Sequence, residues 1–347
     1  MRIARARILF GLLAVSATAL AWPAPSRAAE TINLYTARHY DSDQQLYNAF
    51  TKKSGIKVDV VQAGGNELIQ RVEREGKNSP ADILMAADAA VIGRADQRNL
   101  FQSIDSDALK VIPPNLRSPE GHWFAFTMRA RVVMYNKAKV KPEELSTYEN
   151  LTDPKWKGRL LVNSSSVSYN QSLVAAMIAR VGVEKTEDWA RGIVANMARP
   201  PKGADTDLIK SVYAGEADLA LANTYYLGNL IRDNPKEKVL DKVGVFFPNQ
   251  TGEGLDGRGA HVNISGAGVL RYAPHRDAAI KFLEFLATPE AQKDFAEGNS
   301  EYPTVPGAQA STIVSSFGAF KADQVNIGEV GKNNLAAVQL MDRAGWQ

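Results

Sequence analysis

Cysteine is absent from all 347 residues, which removes a disulfide framework, a thiolate metal site and a cysteine nucleophile from consideration. Histidine is scarce, four in all and scattered, so a structural zinc site has no donors to draw on. Beyond residues 1–28 no stretch reaches the roughly 18 consecutive apolar residues that a membrane-spanning helix needs. A basic surplus is also missing. Of the 41 Lys and Arg, four fall within residues 1–28, which hold no acids, leaving 37 basic against 38 acidic side chains. Such a near-neutral chain lacks the clustered basic footprint of a nucleic-acid partner. No Gly-x-Ser-x-Gly, HExxH or P-loop pattern occurs, which leaves hydrolase and nucleotide-hydrolysing readings without support.

What is there begins with an address. Arg2, Arg5 and Arg7 precede the apolar run Ile8 to Trp22, and Ser26-Arg27-Ala28 follows as a small-x-small cleavage site. A signal peptide over residues 1–28 is expected, with the mature chain starting near Ala29. No two of the leading arginines are adjacent, which favours the general secretory route over a twin-arginine one. An exported chain without disulfides suits a bacterial periplasm. The remainder is long enough for two domains.

From Thr31 the pattern is strand, loop, helix, repeated. Ile32 and Leu34 alternate in a strand, and Arg38 to Asp43 leads into a helix with Leu46, Tyr47 and Phe50 on one face, stopped by Gly55. Ile56 to Val61 reads as a strand, Leu68, Ile69 and Val72 as the inner face of a helix, and Asp82 to Ala86 as a third strand. This order implies a parallel sheet covered by helices on both faces. Trp123 to Asn136 is long, β-branched and aromatic, and is expected to be the first crossing between two lobes. A second series runs from Pro142 to about Pro248, with a strand at Arg159 to Asn163 and a helix at Tyr169 to Val181 that Ser168 would cap. The glycine-rich stretch Gly252 to Gly268 is read as the return crossing. Pro274 to Ala287 and Pro289 to Gly298 are expected as helices, and 313 to 347 as mixed helix and coil packed on the outside. The expected organisation is an N-terminal lobe of 29–130 with 262–305, a C-terminal lobe of 131–261, and 306–347 packed on the lobes. Two α/β lobes joined by two hinge crossings make a clamshell that closes over a ligand.

Within that frame the run Ala217 to Asp233 turns from strand to helix at Asn223 and Thr224, and puts Tyr225 and Tyr226 on the turn. A phenol is ordinarily neutral, with a pKa of about 10, but a helix amino terminus and a bound cation both favour the phenolate. His39 with Tyr40, and Tyr169, occupy equivalent strand-to-helix loops, so all three loops should converge on the crevice. Phenolate is a hard oxygen donor suited to a hard, highly charged cation. Four phenolates and Fe3+ sum to one negative charge, whereas Fe2+ leaves two and is the weaker guest. Arg129 and Arg131 on the first crossing are the candidates to offset that charge. Asp41 and Asp43 read as first-turn helix acids rather than a calcium cluster.

Six motifs carry a family resemblance: LYTARHY at Leu34 to Tyr40, SPADILMAAD at Ser79 to Asp88, RARVVMYN at Arg129 to Asn136, LTDPKWKGRL at Leu151 to Leu160, NTYY at Asn223 to Tyr226, and EYPTVPGA at Glu301 to Ala308. With them, from about residue 30 to 310, the sequence resembles the ferric-iron-binding periplasmic proteins of ABC importers. The resemblance implies the type II periplasmic-binding-protein fold and a non-enzymatic carrier. Such a carrier delivers Fe3+ to a permease and its ATPase at the inner membrane, and a monomer is expected. One branch of the family has a glutamate shortly after the SPAD strand, where this chain has Ala87. With Tyr169 added, the chain is similar to the tyrosine-rich branch, which implies Tyr40, Tyr169, Tyr225 and Tyr226 as ligands. His39 is left as a fifth ligand, a donor to Tyr40 or a solvent-facing neighbour, and water or a synergistic anion as what completes the shell. The alternatives are a same-fold carrier of polyamine or an oxyanion, and a phenolate-ligated iron oxygenase.

Overall fold

The computed structural model describes residues 30–38 and 40–347, so the leader read over 1–28 and His39 lie outside the described residues. Among the described residues nine strands build one mixed sheet: β1 (Thr31–Thr36), β2 (Lys57–Gln62), β3 (Ile83–Ala86), β4 (Phe124–Asn136), β5 (Leu160–Leu161), β6 (Leu219–Asn223), β7 (Val243–Phe246), β8 (Val262–Val269) and β9 (Tyr302–Pro303). Their order is β2-β1-β3-β8-β4-β6-β5, with β7 and β9 also on β4. Among the described residues no helix is long and apolar enough to cross a membrane.

The sequence pattern accounts for the first three strands, which are parallel as the βαβα order predicts. It does not account for β8, which runs antiparallel to both β3 and β4, so the sheet is mixed. The two crossing segments are the cause: β8 enters the first lobe from the second and runs against β3, and β4 enters the second lobe from the first and runs against β6. β4 belongs to both lobes. From Phe124 to Ala130 it pairs with β8, and from Arg131 to Asn136 with β6 and β7. The Arg131 amide donates to the His261 carbonyl at 3.0 Å, just before β8 begins. The two strands thus change lobe at the same level. There Asn263 Nδ2 donates to Asp88 Oδ2 at 3.0 Å and to Ser172 Oγ at 2.9 Å, joining a helix of each lobe.

Helices cover both lobes with the faces the sequence marks. Asp43–Ser54 buries Leu46, Tyr47 and Phe50, and Gly65–Glu75 buries Leu68, Ile69 and Val72. The helix expected from Tyr169 starts one residue earlier, at Ser168, and Val167 is its N-cap with no side-chain bond. Ser168 is therefore inside the helix and does not cap it. The strand expected at Arg159 to Asn163 shortens to two residues, Leu160 and Leu161, which ladder to β6, with a single further bridge from Leu160 to Met197.

The C-terminal segment is more than an outer layer. After β9 the chain passes to the second lobe, where Phe320 stacks on Phe247 with centroids 4.4 Å apart and Asp323 accepts from Arg180 Nε at 3.0 Å. Helix Ile327–Arg343 then buries Val330, Ala337, Leu340 and Met341, lying on helix Ala89–Gln97 of the first lobe and on helix Ser168–Val181 of the second. Gly93 and Gly331 meet backbone to backbone there. A Cβ on Gly331 would come 2.6 Å from the Gly93 Cα, so the helices cross this closely only without side chains. Trp346 beyond it is 1% exposed and donates from Nε1 to the Asn163 carbonyl at 3.0 Å. That bond ties the C-terminal segment to the loop that leads to Tyr169.

Candidate metal centre

Three turns bring the phenols together. Tyr225 and Tyr226 stand in the first turn of helix Thr224–Asp233, directly after β6. Tyr169 stands in the first turn of helix Ser168–Val181, and Tyr40 follows β1 just ahead of helix Asp43–Ser54. The Tyr225 hydroxyl donates to the Tyr169 oxygen at 3.0 Å, and the Tyr226 hydroxyl lies 3.4 Å from the same oxygen. The Tyr225 and Tyr226 rings lie 4.1 Å apart, tilted by 30°. Tyr40 approaches from the first lobe. With Tyr225, Tyr226, Asn229, Arg232 and Asn299 it lines a cleft of about 350 Å³. Helix amino termini behind Tyr169 and the Tyr225 pair favour negative charge on their oxygens.

Two buried ionic networks hold these turns, one in each lobe. In the second, Asp205 is the hub: its carboxylate accepts from Arg131 at 2.8 Å, from the Asn223 amide at 2.7 Å and from Asn163 Nδ2. Asn170 Oδ1 accepts from Arg131 at 2.7 Å. Asn223 and Asn170 are each neighbours in sequence to the tyrosine turns, so this cluster fixes where Tyr169 and Tyr225 start. The sequence marked Arg131 as a candidate to offset negative charge on the phenol oxygens. Its guanidinium is spent on Asp205 and three asparagines, and it acts by holding the backbone beneath them.

In the first lobe Glu301, fully buried, sits between two arginines. Arg38 lies 3.2 Å from it and Arg129 3.9 Å, and Thr127 donates to it at 3.0 Å. Arg38 also forms a two-point pair with Asp43 at 2.8 and 3.0 Å, and lies 4.7 Å from the Tyr40 ring centroid. Asp43 is thus a buried partner of Arg38 as well as a first-turn acid. Arg129 does face the site, 5.9 Å from the Tyr169 ring centroid. It donates to the Ala87 carbonyl, so position 87 offers its backbone to an arginine and no side chain to a metal.

The electrostatics favour the protonated form of Tyr40, Tyr225 and Tyr226. Burial pushes the Tyr225 hydroxyl far above the ordinary phenol range, the neighbouring Tyr40, Tyr169 and Tyr226 add to this, and Arg129 pulls it back. Burial and then Tyr169 raise Tyr226. Burial and Glu301 raise Tyr40, against Arg38 and Arg129. The other histidines are engaged elsewhere: His122 with Asp96, His275 with Asp82. His261 is held near a pKa of about 3 by burial and by Arg131, Arg129 and Arg258. Among the described residues no group of three or more His, Cys, Asp or Glu could hold a metal; the converging donors are phenols. Sequence reasoning passed over Arg38, Asp205 and Glu301. Arg38 and Glu301 stand inside the quoted motifs, and the one signal they offered was a charge within two residues of a strand end.

Known proteins resemble this chain in sequence and in fold. Residues 45–322 match the family of bacterial extracellular solute-binding proteins. The chain is 50% identical over 321 residues to "Iron uptake protein A1" of Synechocystis sp., covering 92% of this chain and 88% of that protein. A solved Trichodesmium protein described as "(IdiA) (FutA) in complex with iron and citrate ligands" superposes with a TM-score of 0.86 at 53% identity, covering 91% of this chain and all of the other. The ferric binding protein from Campylobacter jejuni gives 0.83 at 39% identity, again over 91% of this chain and 100% of the other. With two α/β lobes closing on one cleft, and matches that run along nearly its whole length, the chain belongs to the bacterial extracellular solute-binding protein family.

Proposed function

We propose that this chain is a periplasmic ferric-iron carrier that closes over one ion and hands it to an ABC permease driven by its ATPase. It is a binding protein, not an enzyme. The observation that carries the reading is the convergence of Tyr169, Tyr225 and Tyr226 on one oxygen cluster, with hydroxyls 3.0 and 3.4 Å apart and Tyr40 on the facing wall of the same cleft. The similarity to proteins described as iron-binding supports it. Four phenolates form a hard, anionic oxygen shell for Fe3+, and Arg129 offsets the excess negative charge. Ferrous iron leaves a larger excess and is the weaker guest. Water, a small anion or His39 fills the position that the four phenolates leave open. The basic and apolar leader over residues 1–28 supports export to the periplasm.

The test is the visible spectrum of the protein titrated with ferric nitrilotriacetate. Phenolate-to-iron charge transfer is expected to colour the complex, and Tyr169→Phe to weaken or shift the band as one donor is lost. A Tyr169→Phe spectrum and affinity identical to wild type would remove Tyr169 from the shell.

Acid is expected to release the ion. Each phenol must lose its proton to bind, so affinity falls by up to about tenfold per pH unit for every phenol that ionises. The fold responds differently. Phenols whose pKa is raised on folding give stability that is complete below about pH 10 and fades only as pH rises further. Iron is therefore expected to leave on acidification while the iron-free protein stays folded. Circular dichroism recorded alongside the charge-transfer band checks this, and coincident loss of both at every pH would contradict it.

A further inference from the structure

One contact between the lobes has no side chain on one side. Gly228 lies one turn beyond Tyr225 in helix Thr224–Asp233. Facing it is Ser300, which ends helix Pro289–Asn299 in a left-handed conformation with φ 53°, uncommon for any residue but glycine. A Cβ on Gly228 would come 2.5 Å from the Ser300 Cβ and 2.9 Å from its Oγ. The far end of a flexible chain could move aside, but Ser300 Cβ is fixed to a buried backbone. Ser300 is 1% exposed and the next residue is the buried Glu301 that holds Arg38 and Thr127. Two bonds flank the contact: Asn229 Nδ2 to Asn299 Oδ1 at 3.4 Å, and Arg232 to the Gly298 carbonyl at 3.1 Å. β9, which follows, is paired to the first-lobe half of β4.

We propose that the contact between Gly228 and Ser300 is the closure stop of the clamshell, the positioning pair that lets the helix carrying Tyr225 and Tyr226 seat against the first lobe so that Tyr40 shares their ion. The inference rests on the reading of this cleft as the iron site. On one side the stop is joined through Glu301 to the charged network beneath Tyr40. On the other it lies on the same helix as the two second-lobe tyrosines. A fraction of an ångström at this stop is therefore passed directly to the separation of the two half-sites. Neither residue touches the ion, so the pair controls how long iron stays without supplying a donor.

The experiment compares wild type, Gly228→Ala, Ser300→Gly and the double variant, each as the full mature chain. It measures iron dissociation into excess competing chelator, and small-angle scattering with and without iron. Gly228→Ala is expected to release iron about tenfold faster or more, since interface defects act chiefly on dissociation, and to compact less on loading. Its iron-free melting temperature should stay level or rise, because alanine is the better helix former. Ser300→Gly removes the obstructing side chain and suits the left-handed backbone, so in the double variant slow release and full compaction should return. Arg232→Ala, which adds no bulk, should speed release in the same direction by less. Wild-type release and compaction in Gly228→Ala, or a defect that Ser300→Gly leaves unrelieved, would overturn the proposal. Failure of wild type itself to bind ferric iron would instead overturn the function on which it rests.

Discussion

Protein carrying Tyr225→Phe and Tyr226→Phe together is expected to fold and melt like wild type yet to bind ferric iron about a thousandfold more weakly or worse. Removing even a partner of a metal ligand costs about 10- to 100-fold in affinity, and here two donors on one helix turn are lost at once. Phenylalanine preserves the ring contact, 4.1 Å between centroids in the native pair, so packing is kept while the oxygens go. Tyr169 alone then remains in the second lobe. Tyr40→Phe keeps the ring over which Arg38 lies and removes the donor that arrives on closure. It is expected to retain iron with a smaller loss and a faster release. Competition titrations against ferric nitrilotriacetate separate the two, and equal losses would argue against a second-lobe pair that binds first.

Asp205→Ala is expected to cost about 3 to 5 kcal/mol of stability, the range for breaking a buried ion pair by removing one partner. The Asp205 and Arg131 side chains are 0% and 1% exposed and 2.8 Å apart. Alanine would leave that guanidinium uncompensated and the Asn223 amide without its acceptor. Thermal unfolding of the iron-free protein should show a fall of roughly 5 to 8 °C. Iron affinity should drop as well, because Asn223 is the residue on which the tyrosine turn begins. Asp205→Asn, which keeps an uncharged acceptor for the Asn223 amide, should lose less of both stability and affinity than Asp205→Ala. A melting temperature unchanged by Asp205→Ala would mean that the cluster is not what holds the turn.

How far such a site can be read from sequence depends on whether the cause is local. The tyrosines were legible because a strand that runs into a helix places its junction at the crevice, and Thr224–Asp233 and Ser168–Val181 both follow that rule. β4 was legible from its length and its β-branched and aromatic content. The charged supports were not. Arg38 and Glu301 are 263 residues apart, and each alone looks like a surface charge; only their pairing makes burial tolerable. The antiparallel direction of β8 was hidden for the same reason, since it depends on where the chain has been and not on what the strand contains. The C-terminal helix did carry a readable apolar stripe, Val330, Ala337, Leu340 and Met341. What its sequence could not show was that the bare patch at Gly331 has a matching one at Gly93, which seats the helix across both lobes.

β4 and β8 carry the chain between lobes inside a sheet rather than through slack loops. β4 keeps its ladder to β8 as far as Ala130 and its ladder to β6 from Arg131 onward, so one lobe cannot slide along the other without breaking a row of backbone bonds. What is left is twist, the soft coordinate of a strand. The leaves then behave as if mounted on a torsion bar: they swing along one path, and the ladders that restrain them bring each closing back to the same register. A carrier that loads and empties repeatedly gains from this a stroke that repeats itself, with no element that has to be rebuilt between cycles.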